Sequence, residues 1–462
     1  MDYSASNHAL WNFLIQLGII AAAVIAANAL RRKVPFFRKS LMPTAVLAGF
    51  LLLLLRSIGV IKLDGELLET VTYHGIAIGF IAMSLRVQKK DSALGTLLGA
   101  KSGALIVSVY LVQALIGSAV VLLLALTVMP QLFKAAGILL PMGFGQGPGQ
   151  ANNIGGTYEG LGFAGGRSFG LSLAASGYLV ACVIGVIALN ILAKKERIKR
   201  SSHEELSGSV TVDTFQGQNE IPISESLDRF SMQTALVFFT YLLTFLLTWG
   251  ITSAFSAISP GLGNTVNSIL WGFNFIIGSL VAIIVKVGLS KLKKLRFMQR
   301  QYQNNYLLNR ISGLAFDLMI VAGIASIRLE DLSGLWLPFV LLTVAGAAGT
   351  WLYLSYMCKK VYPDFRYEGL MSMFGMLTGT ISSGVLLLRE IDPEYSTPAA
   401  NALVVGSSFG IGFGFPVLIL VGMAPKGNTM LFVVIGICAL YLAALIAFIL
   451  RAGRGKKTKK TE

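Results

Sequence analysis

Apolar runs of membrane-spanning length recur along the whole of this chain, and they decide what it can fold into. They lie at about 9–30, 41–61, 72–86, 102–128, 167–193, 231–255, 266–288, 309–328, 335–358, 398–422 and 430–450. A helix needs about 20 apolar residues to cross the roughly 30 Å hydrocarbon core of a bilayer. Inside that core every backbone N–H and C=O must find a partner within the protein, so such spans are helical. Only 13% of the residues are charged, against about 25% in a soluble chain. The expectation is an all-α integral membrane protein held in a lipid bilayer.

Two segments break the apolar pattern at corresponding places in the two halves. The first is Pro141 to Gly156, with Gly143, Gly145, Gly147 and Gly149 around Gln146, Pro148, Gln150, Asn152 and Asn153. The second is Gly375 to Gly384, with Thr378, Gly379, Thr380, Ser382 and Ser383. Irregular backbone sits at membrane depth only where protein buries it or where it lines a watery cavity. Paired interruptions of this kind point to a transporter's binding site. We read 132–157 and 366–388 as re-entrant hairpins that return to the side they entered.

Charge placement sets the orientation. With the N-terminus outside, 32 of the 38 Lys and Arg residues fall in cytoplasmic loops, the bias expected of inner loops. The bias requires both interrupted segments to be re-entrant, because a full crossing by either would flip every later loop. Each half then holds five spans and one hairpin, and an odd span count inverts the second half. Phe80 to Arg86 and Ala322 to Arg328 carry a faint likeness at matching places. The domain reading is a first repeat over 1–193, a polar cytoplasmic linker over 194–230 and a second repeat over 231–422. An extra span and a basic cytoplasmic tail follow over 423–462. The basic cluster Arg31 to Lys33 follows the first apolar run, so that run is expected to be a retained span and not a cleavable signal. The net charge of +16 belongs to these loops. No basic groove with interleaved aromatics accompanies it, which argues against a nucleic-acid partner.

Asp317 stands near the middle of the eighth span. A carboxylate there costs about 3 kcal/mol to insert, and it ordinarily faces a cavity or a cation. Its expected role is to hold a coupling ion or relay a proton; a structural hydrogen bond or ion pair is the competing one. At the hairpin tips, Gln146, Gly147, Gly149, Gln150, Asn152, Asn153, Thr378, Thr380, Ser382 and Ser383 are the expected solute ligands. Backbone amides at a broken helix's N-terminal end attract a carboxylate, and free carbonyls at the opposite end suit Na+. Gly145, Gly379 and Asn401 join Asp317 as expected cation ligands. The competing reading of the glycines is close helix packing. Arg167 and Arg389 could meet a substrate carboxylate or snorkel to the interface. Asn274 in the seventh span reads as a helix-to-helix hydrogen bond.

No catalytic constellation stands out. The stretch Gly143 to Gly149 resembles a phosphate loop only in its glycines, with no preceding soluble strand and no following Lys-Ser/Thr. Cys182, Cys358 and Cys438 lack metal-ligand spacing and read as small membrane-core residues. The expectation is neither an enzyme nor a protein with a resident cofactor.

Over about 9–422 the chain resembles the sodium/glutamate symporter family. The resemblance rests on Leu41 to Gly49 at the start of the second span, the first hairpin and Tyr158 to Phe163 after it. It rests further on Asp364 to Gly375 leading into Thr378, Gly379 and Thr380. The chain departs from the family at Gly145 to Gln150, in the Thr and Ser residues of the second tip, and in the added last span. The resemblance implies two inverted repeats of five spans plus a hairpin, a homodimer, and an elevator in which a hairpin-bearing domain slides against a scaffold. It implies Na+-coupled uptake of an acidic amino acid or similar small carboxylate across the plasma membrane. Spans three to five and eight to ten would move with the hairpins. A cation/proton antiporter of similar architecture, using Asp317 for exchange, is the alternative.

Overall fold

The computed structural model describes residues 3–4, 7–39, 42–87, 93–194, 229–258, 267, 270–271, 274–296, 302–392 and 397–452. Apart from its ends, the 194–230 linker lies outside the described residues, as does the tail from residue 453. Every regular element described is helical. The helices are α1 His8–Lys33, α2 Pro35–Lys39, α3 Thr44–Ser57, α4 Gly65–Leu85 and α5 Ala93–Thr127. Next come α6 Pro148–Glu159, α7 Gly166–Lys194, α8 Arg229–Ile258, α9 Asn274–Lys294 and α10 Asn305–Ala325. The chain continues through α11 Trp336–Val361, α12 Arg366–Thr378, α13 Ile381–Arg389, α14 Ala399–Met423 and α15 Asn428–Arg451. Ten of them contain stretches long and apolar enough to cross a bilayer, and α3 is a shorter apolar helix of 14 residues. This is an all-α, multi-pass membrane protein.

Several spans differ in extent from the sequence reading. The third, expected from residue 72, begins at Gly65. Glu66 and Glu69 look like loop residues in sequence but belong to the first turn and a half. The Asp64 carboxylate accepts the Glu66 backbone N–H at 3.0 Å, and acids at a helix N-terminus oppose its dipole. The second span is shorter than expected. It starts after Pro43 and ends before Gly59, whose φ of 76° ends the helical course. The fourth, α5, is 35 residues long, roughly 50 Å at 1.5 Å per residue.

The described chain forms two compact units. The first comprises Met1–Leu68, Asp91–Ser202 and Gly323–Glu462. In it α5 is the central post, packed against α11, α14 and α15. Small residues allow this: the added Cβ of Gly103 would collide with Phe409, and that of Gly406 would stand 2.6 Å from Ser102 Cβ. Both interrupted segments lie in this unit. The second unit comprises Glu69–Lys90 and His203–Ala322. Its core joins Ile81, Ala82 and Leu85 of α4 to Val237 of α8, Ala282 of α9, and Leu308 and Ile311 of α10. Asn274 donates to the Tyr241 hydroxyl at 2.8 Å there, the helix-to-helix bond expected of it. The units cut across the expected moving set. Spans four, five, nine and ten accompany the interrupted segments, while spans three and eight fall in the second unit and spans one and two in the first.

Candidate functional site

The first interruption is built by proline and glycine. Pro141–Gly145 forms a π-helical turn, a form found mostly as short bulges and often at functional sites. Gly147 follows at φ 90°, ψ −174°, a region essentially reserved to glycine. Pro148 then opens α6 as its first residue, where its missing N–H is no loss. In the second interruption α12 stops at Thr378, and Gly379 and an extended Thr380 lead into α13. Neither α6 nor α13 has a side-chain cap on its first turn. Their leading N–H groups therefore have no partner within the helix.

The two breaks meet. A methyl group on Gly147 would stand 3.8 Å from the Gly379 carbonyl oxygen, from Thr380 Cγ2 and from the Tyr178 hydroxyl. The same group on Gly379 would lie 2.9 Å from Ser383 Oγ and 3.1 Å from Tyr178 Cδ1. Gly177 of α7 abuts the Thr378 carbonyl oxygen. The N-terminal ends of α6 and α13 thus converge on one region beside Tyr178, and both carry the positive end of a helix dipole.

The broken segments and α5 carry buried polar atoms without partners. Gln150 Oε1, Asn152 Oδ1, Thr380 Oγ1, Ser383 Oγ and Gln113 Oε1 are buried and have no hydrogen-bond partner among the described residues. Gln113 comes from the middle of α5. Its Nε2 donates to Thr350 Oγ1 of α11 and to the Leu377 carbonyl of α12, both at 2.9 Å. Gly145 lies against Gln113 Oε1 and the ring of Tyr110. The groups gathered here are amides, hydroxyls and backbone dipoles, with no carboxylate, ammonium or guanidinium among them.

At the far ends the arms of each interruption return to each other. The Phe133 ring, just before the first break's helical turns, stands 5.6 Å from Tyr158 near the end of α6 and stacks on Phe163 at 5.0 Å. Tyr158 is fully buried and donates to the Val421 carbonyl at 2.8 Å. In the second, α12 and α13 lie side by side. A methyl group on Gly375 would stand 2.8 Å from Gly384 Cα, and one on Gly384 would collide with the Ser372 carbonyl oxygen.

The expected site residues divide. Gly147, Gly379, Thr380 and Ser383 come together, Gly145 lies against Gln113, and Gly149, Gln150 and Asn152 are buried in the first two turns of α6, with half-buried Gln146 just before Gly147. The Thr378 hydroxyl is taken up by the Phe374 carbonyl at 2.8 Å. Asn153 is buried on α6, and its carbonyl accepts the Thr157 hydroxyl at 2.9 Å. The side chains of Ser382 and Asn401 lie outside the described residues. Asp317 is exposed on α10 of the second unit, with no hydrogen bond or ion pair among the described residues. Arg167 stands at the far end of α6, its Nε 3.6 Å from Glu159, about 18 Å along a 12-residue helix from the break. Sequence reasoning missed Tyr110, Gln113, Tyr178 and Thr350. Gln113 carried a usable signal, a lone amide in the middle of the longest apolar helix.

No model of a known protein family matches the chain, and no curated protein is significantly similar to it.

Proposed function

We propose that this chain is a secondary active transporter that carries a small carboxylated solute together with Na+, and that the two breaks form its binding site. An acidic amino acid is the solute to test first. The observation that carries the reading is the meeting of two uncapped helix N-termini at Gly147 and Gly379, on segments that carry four buried side-chain oxygens without partners, with a fifth on Gln113 against Gly145. A buried polar atom left unpaired costs about 1–3 kcal/mol. A polar ligand at the breaks would satisfy such atoms. Two positive helix ends favour a carboxylate, and the Thr380 and Ser383 hydroxyls can donate to it. Amide oxygens and loose backbone carbonyls suit Na+.

The interruptions read as re-entrant hairpins. Contacts of Phe133 with Tyr158 and of Gly375 with Gly384 support this, since each brings the outgoing arm back to the incoming one. α6 and α12 have 12 and 13 residues, about 18–20 Å, enough to carry a tip to the middle of a 30 Å core. Inverted repeats agree with the way spans three to five and eight to ten contribute, though not with spans one and two and their counterparts six and seven, which fall in different units. Each half gives its fourth span, its broken segment and its fifth span to the first unit, and its third span to the second. In an elevator cycle the unit holding both breaks would travel as one body within a homodimer. The charge bias supports a plasma-membrane orientation with the N-terminus outside and the C-terminus cytoplasmic. Placing exchange at Asp317 would support the antiporter reading.

The test is a thermal-shift screen of the purified full chain in detergent. L-glutamate, L-aspartate, dicarboxylates and neutral amino acids are each compared in NaCl and in choline chloride. A ligand that binds only the folded state raises its stability. Stabilisation by an acidic solute that requires Na+ is the expected result. Stabilisation by Na+ alone, with proton-driven Na+ exchange in liposomes and no response to any solute, would replace symport with antiport.

A further inference from the structure

Resting on the reading of the breaks as a Na+-coupled site, we infer that Gln113 is a direct ligand of the coupling cation through Oε1. Gln113 is fully buried in α5. The Leu377 carbonyl can only accept a hydrogen bond, so the Gln113 amide must turn its Nε2 toward it, and Thr350 Oγ1 receives the second N–H. The amide is thereby fixed. Its oxygen points away from α12 and rests against Gly145, at the end of the π-helical turn, with no donor in reach. An acceptor held in one orientation, buried and unsatisfied, fits a cation. It lies where the π-helical turn ends and Pro148, which has no N–H to offer that turn's carbonyls, opens the next helix. Gln150 Oε1 and Asn152 Oδ1, on the first two turns of α6, are likewise buried amide oxygens without a partner. A set of neutral oxygens suits a small monovalent ion.

The arrangement also explains how a cation in the first break could be felt by the second. The amide that presents Oε1 to Gly145 holds the last turn of α12 with its other end. A cation on Oε1 polarises the Nε2 bond to Leu377 and fixes the position from which Gly379 and Thr380 depart. Filling the cation position would thus order the second tip for the solute.

The experiment titrates Na+ against choline at constant ionic strength and follows the thermal stability of the purified full chain. It uses wild type, Gln113→Met, Gln113→Glu and Thr350→Val. Loss of one oxygen contact to a cation should raise the half-maximal Na+ concentration about 10-fold or more in Gln113→Met. Gln113→Glu keeps an oxygen and adds charge but sets an acceptor against the Leu377 carbonyl in place of Nε2, and should shift it. Thr350→Val removes one of the two amide anchors but leaves Leu377, so its Na+ titration should move less than that of Gln113→Met while its stability in choline falls. An unchanged Na+ titration in Gln113→Met, or in Gln113→Glu should the first not fold, overturns the inference. An equal shift in Thr350→Val overturns it too, since the amide would then act only through the fold. If Na+ binding is unmoved and L-glutamate binding weakens while a dicarboxylate without an ammonium group is unaffected, Oε1 takes the solute's ammonium and the cation assignment fails. A wild-type protein that no solute stabilises in Na+ defeats the symport reading itself, a separate outcome.

Discussion

Replacing Gly147 with alanine isolates the backbone demand of the first break. Gly147 has φ 90° and ψ −174°, and a side chain in that region costs about 1–3 kcal/mol. Space is not the obstacle. The added methyl would meet only ordinary contacts, at 3.8 Å from the Gly379 oxygen, Thr380 Cγ2 and the Tyr178 hydroxyl. The loss is therefore conformational, and it falls on the residue that sets where α6 begins. The first compact unit has about 320 residues, for which 1 kcal/mol moves the melting temperature by about 1.5 °C. A fall of about 2–4 °C follows for the ligand-free protein. Gly160→Ala is the control. That residue has φ −61° and contacts no closer than 3.5 Å, so alanine should be neutral or stabilise by up to about 1 kcal/mol. Both variants are melted in detergent with and without Na+ and L-glutamate. Gly147→Ala should lose stability and solute response together, and Gly160→Ala neither. If the two variants melt alike, or Gly147→Ala retains full solute stabilisation, the break does not depend on the conformation of Gly147.

The remaining predictions concern side chains. Thr380→Val and Ser383→Ala each remove a buried hydroxyl that has no partner, so the ligand-free protein should melt at the same temperature or higher. Solute affinity should fall about 10-fold; destabilisation with intact affinity would make both hydroxyls structural. Asp317→Asn should leave Na+-dependent solute stabilisation in place. Its loss, measured by the same thermal shift, would return the cation to Asp317. Burial holds the Glu159 carboxyl above its ordinary 4.5, against the pull of the Arg167 backbone N–H. The folded protein thus binds this proton more tightly than the unfolded chain, and stability falls as pH rises from 4.5 through the raised value. Glu159→Gln should remove that part of the slope; matching slopes for the two proteins between pH 4 and 7 would refute it.

The sequence by itself determined the spans, because a bilayer leaves an apolar run of about twenty residues no choice but helix. It determined the two breaks as well, since Pro141, Gly147, Pro148 and Gly379 act locally on the backbone. Its errors were at span ends, where Glu66 and Glu69 look like loop but belong to α4. Only the tertiary structure decided which polar residues share a site. Gln113 reaches Thr350 and Leu377 across 237 and 264 positions, a pairing that no local pattern contains. Asp317, the most conspicuous charge in the apolar runs, belongs to the second compact unit. Single-residue insertion cost signals that a polar group needs a partner; the packing of distant helices determines which partner it finds.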